Sequence, residues 1–160
     1  MTIRRNRRRS RGQALVEFAM ILPVLVLAVF GIIDFGRYIF TQNSLNEASR
    51  EGARAGAVRE LPAECGTQTR DACAMTITRS RLIGVIGTTT PVVTCSRVSQ
   101  LDLNNDNQLD QTPVSPPSNC QARNLFRVSV TNNFTLLTPV IAQFLGSQTL
   151  RGETQVTVQS

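Results

Sequence analysis

Apolar residues fall along this chain as one long block followed by short alternating pieces. From Phe18 to Ile33 the sequence carries no charge, and with Ala14 to Val16 the block is about long enough to cross a bilayer as a helix. A cluster of arginines stands just before it. One carboxylate, Glu17, lies near its start, and Pro23 lies inside it. Beyond Asp34 the spacing stays helical: Phe35, Tyr38, Ile39, Leu45, Ala48 and Ala55 fall near one face, and Glu47/Arg50 and Glu51/Arg54 form i,i+3 charge pairs. Ala48, Gly52, Ala53, Ala55, Gly56 and Ala57 make the last third low in bulk, a surface that lets another element approach closely. Pro62 disfavours helical geometry at Leu61 and ends the run. The pattern predicts one helix from about Ala14 to Glu60, roughly 70 Å long.

The remainder reads as a small α+β domain. Ala72, Met75, Leu82, Ile83 and Ile86 predict a second, weaker amphipathic helix ending at Gly87. Pro91 to Val98 reads as a strand. Phe126, Val128 and Val130 alternate with Arg127, Ser129 and Thr131 as the clearest strand in the chain. Leu136 to Leu145, interrupted by Pro139, reads as a short helix or buried loop. Leu150, Thr154, Val156 and Val158 alternate with polar residues as a final strand. Thr112 to Ser118 is a Pro/Ser-rich linker. Three strands of a small antiparallel sheet against a long helix can bury a modest core.

Charge changes the picture at the N-terminus. The formal net charge is +6, with seventeen basic residues against eleven acidic ones. Arg4, Arg5, Arg7, Arg8, Arg9 and Arg11 account for all six, since the rest of the chain balances. A basic run beside an apolar span is a cytoplasmic-side retention signal. No downstream basic stripe with interleaved aromatics accompanies it, so no nucleic-acid partner is expected. The chain has no His, and every basic residue is Arg. That removes Ser–His and Cys–His nucleophile pairs, His-ligated zinc and lysine Schiff-base chemistry, so an enzyme is not expected.

Cys65, Cys73, Cys95 and Cys120 all lie beyond the apolar block, an even count without a C-x-x-C pair. They fit disulfides in an exported domain. Of three connectivities, Cys65–Cys73 with Cys95–Cys120 is favoured because each bond staples a polar loop. Asp102, Asn104, Asp106 and Asp110 place oxygen side chains at alternate positions, like the start of a calcium loop. The loop lacks the glycine of the sharp turn, where Asn107 stands, and the terminal Glu, where Pro113 stands. Calcium is the one cofactor it suggests, against a plain polar loop.

Glu17 is costly inside a span. A mid-bilayer charge costs roughly 2.5 to 3.5 kcal/mol, and apolar neighbours at about −0.3 to −0.6 kcal/mol each more than offset it. It either sits among the headgroups or meets a positive charge on a partner. The order Gly12-Gln13-Ala14-Leu15-Val16-Glu17-Phe18, after an arginine cluster, resembles the processing site of type IV prepilin-like proteins. The longer run G-Q-A-L-V-E-F-A-M-I-L-P, then G-I-I-D-F-G-R-Y and A-S-R-E-G-A-R-A-G-A, resembles the TadE-like minor pseudopilins of tight-adherence (Tad/Flp) pili. The resemblance is dense from Arg11 to Val58 and weak afterwards.

That resemblance implies a type IV pilin-like fold: one long helix, its first half transmembrane, packed on a small antiparallel sheet with short helices. Residues 1–12 would be a basic leader, 13–34 the transmembrane and assembly helix, 35–61 its extracytoplasmic continuation, and 62–160 the domain. A prepilin peptidase would cut after Gly12, leaving Gln13 as the new N-terminus. Glu17 would pair with a neighbouring subunit's free amine. The implied partners are that peptidase, other pilin subunits, the inner-membrane assembly platform and the lipid bilayer. The implied place is the bacterial cytoplasmic membrane, with a single pass and the N-terminus inside, or a surface pilus serving adhesion. The alternative is a single-pass anchored adhesion or calcium-binding protein never built into a fibre.

Overall fold

Good helix formers on either side of an uninterrupted apolar run make α1, Arg8–Ala57, a single helix of 50 residues, about 75 Å long at 1.5 Å per residue. The computed structural model describes residues 8–58, 60–98, 111–115, 117, 120–138, 143 and 146–159. α1 is already helical at Arg8, ahead of the expected start near Ala14, since arginine favours helix. It runs through Pro23 without ending. It stops at Ala57, short of Glu60, because its last carbonyls find tertiary partners. Arg70 Nη1 donates to the carbonyls of Gly56 and Val58 at 2.7 and 2.6 Å, and the Gln159 N–H donates to that of Ala57 at 2.9 Å. These bonds close a helix end that would otherwise leave acceptors orphaned.

The two halves of α1 differ. None of the apolar window in the first half is buried, and with a mean hydropathy of 2.6 it is long and apolar enough to cross a membrane. The second half is packed into the domain by its small residues. Leu45, Ala48, Ser49, Gly52, Ala53 and Gly56 are buried, whereas Phe35 and Ile39, expected on the same face, are exposed. Bulk decides which face is covered. A Cβ at Gly52 would land on the Thr78 hydroxyl, and one at Gly56 would land inside the Phe126 ring. From the sheet side, a Cβ at Gly152 would overlap the Leu45 carbonyl. The expected Glu47–Arg50 and Glu51–Arg54 pairs do not form; the ion pairs among the described residues are Asp34–Arg37, Arg127–Glu153 and Arg151–Glu153.

A short 3-10 turn, Ala63–Cys65, leads into α2, Arg70–Arg81, which buries Cys73, Ala74 and Thr78 against α1. α2 ends before the expected Gly87, and Ile83 and Ile86 are not on its core face. Gly84 and Gly87 take left-handed φ values of 88° and 110°. Only glycine adopts them at no steric cost, and the chain turns there into the sheet.

The sheet is antiparallel throughout, with strands β1 Thr89–Val98, β2 Gln111–Val114, β3 Leu125–Phe134 and β4 Gln148–Thr157 in the order β2-β1-β3-β4. β2 corrects the linker reading of Thr112 to Ser118 over its first three residues, Thr112 to Val114. Pro113 is tolerated opposite Ser96 because β2 is an edge strand, with one side free of ladder bonds. β3 turns Phe126, Val128, Val130, Asn132 and Phe134 inward, as strict alternation requires. Its other face is polar, where Glu153 bridges Arg127 and Arg151.

Two disulfides staple the domain in the nearest-neighbour pairing. Cys65–Cys73 ties the 3-10 turn to α2, with Cα atoms 5.2 Å apart. Cys95–Cys120, 5.8 Å apart, ties β1 to the chain entering β3 and encloses β2. The segment expected as a helix or loop over Leu136 to Leu145 is described only at 136–138 and 143.

Gly56→Leu should overpack the contact with Phe126 at a cost of about 1–3 kcal/mol. Thermal unfolding in detergent should then show a melting temperature lower by roughly 4–24 °C for a domain of this size. Gly36→Ala, where a Cβ would meet nothing within 4 Å, is the control and should leave it unchanged.

Candidate assembly helix and its latch to the domain

Gly12, Gln13 and Glu17 all lie within α1, exposed, on the half that the domain does not cover. Gln13 and Glu17 are four residues apart, so they are neighbours one turn apart on the helix surface. A Cβ placed at Gly12 would meet no atom within 4 Å. Glu17 has no hydrogen-bond or ion-pair partner among the described residues. It is a lone carboxylate on an otherwise apolar cylinder.

The next acid along α1 is in the opposite situation. Asp34 is 3% exposed, and four donors converge on it. Oδ1 accepts from the Leu137 N–H at 2.9 Å and from Arg37 Nη1 at 3.2 Å. Oδ2 accepts from the Thr138 N–H at 3.0 Å and from the Thr138 hydroxyl at 2.7 Å. Bonds to an ionised acceptor are among the stronger ones a protein makes. Here they join the last residue of the span to the loop that follows β3, more than a hundred residues later. One turn further along α1, the Tyr38 and Phe134 rings meet edge to face, with centroids 5.9 Å apart. The Arg37 guanidinium lies 5.3 Å from the Phe134 centroid. Aromatic and cation–π contacts of this kind each add of order 1 kcal/mol beyond burial.

Sequence reasoning placed Asp34 only as the end of the span and missed this latch. A signal was there: one acid closing an apolar run, on the helix face that continues through Thr41 and Leu45. Its partners could not be read, because two of the four donors are backbone groups. Cys65, Cys73, Cys95 and Cys120 are brought together in pairs, remote from Gly12, Gln13 and Glu17. The proposed calcium residues Asp102, Asn104, Asp106 and Asp110 lie outside the described residues. Among the described residues no group of His, Cys, Asp or Glu could hold a metal ion.

Residues 12–54 match the family model described as TadE-like protein. The resemblance carried by the Gly12–Glu17 run and the G-I-I-D-F-G-R-Y motif is therefore shown for this segment. It takes in Gly12, Gln13, Glu17, Asp34 and, of the small-residue stretch, Ala48, Gly52 and Ala53, and it stops before α1 ends. No curated protein and no solved structure matches the chain.

Asp34→Ala should strand the Leu137 and Thr138 N–H groups, each net bond to a charged acceptor being worth about 1.5–3 kcal/mol. Hydrogen–deuterium exchange should show protection lost at those two amides while the centre of β3 stays protected. Asp34→Asn, which keeps one acceptor oxygen, should fall between. Unchanged exchange at Leu137 and Thr138 would remove the latch.

Proposed function

We propose that this chain, TadE-like over its N-terminal segment, is a minor pilin or pseudopilin. It is processed after Gly12 and contributes to assembly of a tight-adherence pilus or a related secretion apparatus, for adhesion. One observation carries the reading: a single helix joins an uncovered apolar half, bearing one carboxylate with no partner among the described residues, to a half packed into a domain. The uncovered half needs a solvent of its own. A bilayer supplies it first, and the apolar helices of neighbouring subunits supply it once the chain leaves the membrane.

Before processing, the arginines from Arg4 to Arg11 hold the N-terminus on the cytoplasmic side of the bacterial inner membrane. A prepilin peptidase cuts the Gly12–Gln13 bond. Glycine weakens the helix there by roughly 0.5–1 kcal/mol relative to alanine, which eases the local unwinding that access to a peptide bond demands. The cut removes six positive charges and creates an ammonium on Gln13. An amine and a carboxylate are each costly alone in low dielectric and far less so together. Axial stagger of packed helices brings one subunit's Glu17 to the next subunit's amine, on the assembly platform. The role is polymer contact rather than catalysis.

Mass spectrometry of the native protein should find a chain starting at Gln13, lost when Gly12 is replaced or the peptidase is deleted. An intact Met1 chain in peptidase-competent cells would sink the proposal and leave a single-pass anchored adhesion protein.

Glu17→Gln should still be cut. Removing one partner of a buried pair costs about 3–5 kcal/mol, so incorporation into sheared pili should fall by more than about tenfold. Incorporation at the wild-type level would dismiss the charge pair.

A further inference from the structure

Contacts between α1 and the domain form a ladder that gives every element a height along the helix. Phe126 stands at Gly56, Thr78 at Gly52, Gly152 at Leu45, Gly84 beside Phe40, Phe134 at Tyr38, and Leu137 and Thr138 at Asp34. α2 and β3 therefore both descend towards the span, and the turns that follow them, 82–88 and 135–138, form the lowest rim of the domain among the described residues. The first turn is tied to the end of β3, from which the second turn starts, since Asn132 Nδ2 donates to the Ile86 carbonyl at 3.3 Å and the Asn133 N–H donates to that of Thr88 at 3.4 Å. Asp34 ties the second turn to α1. The rim is a collar fixed around the helix.

The collar is apolar without being covered by any of the described residues. Ile83 is 82% exposed, Ile86 65% and Leu137 57%, and the helix inside the collar exposes Phe35 and Phe40. An open, mainly apolar recess of about 360 Å³ lies on the Phe35 side, lined by Gly31, Asp34, Phe35, Tyr38, Phe134, Leu136 and Gln148, and Phe40 and Ile86 share a second hollow on the other flank of the helix. The position of the collar is set by arithmetic. Residues 13–33 of α1 rise about 30 Å, which is the thickness of a bilayer's hydrocarbon core. Asp34 then stands at the far interface with the 135–138 turn latched to it, and the 82–88 turn, beside Phe40, stands about 9 Å further out, at headgroup level.

We propose that the collar is a membrane-docking surface. Ile83, Ile86 and Leu137 insert among the acyl-chain ends and headgroups of the outer leaflet while Phe35, Tyr38 and Phe40 line the same interface on the helix. The occupant is lipid for two reasons. The patch is continuous with the uncovered span, and the interface is where aromatic residues are enriched in membrane proteins. An exposed apolar rim at that depth is covered without any partner protein. The domain thereby rests on the membrane instead of standing off it, and leaving the bilayer means lifting the collar as well as the helix.

The inference rests on the reading of α1 as a membrane span, and the test separates the two. The chain has no Trp, so single-Trp variants of the full chain report one position each. Ile83→Trp, Ile86→Trp, Val24→Trp and Thr67→Trp are placed, one copy per disc, in phosphatidylcholine nanodiscs brominated near either end of the acyl chains. All four positions are exposed, so the fold tolerates the change. Val24→Trp should be quenched best by deep bromines, and Thr67→Trp, near the far end of α1, by neither. Ile83→Trp and Ile86→Trp should lose emission to the shallow bromines. Quenching at Val24 with Ile83 and Ile86 behaving like Thr67 would overturn the docking surface and leave the span intact. No quenching at Val24 would overturn both. Blue-shifted, unquenched emission that appears only at two copies per disc would assign the collar to a second copy and overturn the lipid assignment.

Discussion

The fold depends on how closely α1 can approach what packs on it. Gly52 and Gly56 have no room for a Cβ, because the Thr78 hydroxyl and the Phe126 ring already occupy it, and Gly152 returns the constraint from the sheet. Dispersion falls off within an ångström, so a helix approached this closely gains contacts that a bulkier surface would forfeit. Close approach also removes freedom. Ridges of side chains can slip past one another, but a ring seated over a glycine has one height at which it fits. Fixing that height makes the helix and the domain one rigid body, and the polar contacts then fall into place along it. Arg70 closes the upper end of the helix and Asp34 catches the loop below the sheet.

Asp34 and Glu17 show how environment divides one chemistry into two roles. Both are carboxylates on α1, about 26 Å apart along the axis. Asp34 is saturated by four donors from its own chain and stabilises the fold. Glu17 has none among the described residues, and the helix around it has no cover. A carboxylate satisfied within the chain is structural. One left unsatisfied in an apolar setting is costly until something else meets it, which makes it the better candidate for a contact between chains.

Much of this was legible in the sequence, and the reasons are particular. The long helix follows from an uncharged block too long for a core helix, and the two best strands follow from period-two alternation in Phe126–Val130 and Leu150–Val158. The small-residue stretch suggested close packing, against the plainer reading of an exposed low-bulk helix, and the contacts at Gly52 and Gly56 decide for packing. Other features were invisible. Phe35 and Ile39 looked like core residues on spacing alone, but the domain covers only the low-bulk face of the later half of α1. Ile83 and Ile86 extended the apparent face of α2 beyond two glycines whose left-handed geometry ends it. β2 was hidden by Pro113, which argues against a central strand and says little about an edge. The latch was hidden because the carboxylate of Asp34 accepts from two backbone amides in a distant loop, and backbone donors leave no trace in residue identity.

Rigidity has a consequence for how a charge at one end of α1 can act at the other. If Glu17 sets the axial stagger between neighbouring chains, the setting reaches the domain undiminished only if nothing between them bends independently. Two weak points lie between them: Pro23, which removes one helix hydrogen bond, and Asp34, where uncovered helix gives way to packed helix. At the second the structure gathers several contacts, with the Asp34 carboxylate, the Thr138 hydroxyl and the Arg37–Phe134 stack all within one turn of each other along α1. The latch is therefore sited at one of the two places where loss of stiffness would matter. A register set at Glu17 would be carried up the helix and reappear as the height of the domain.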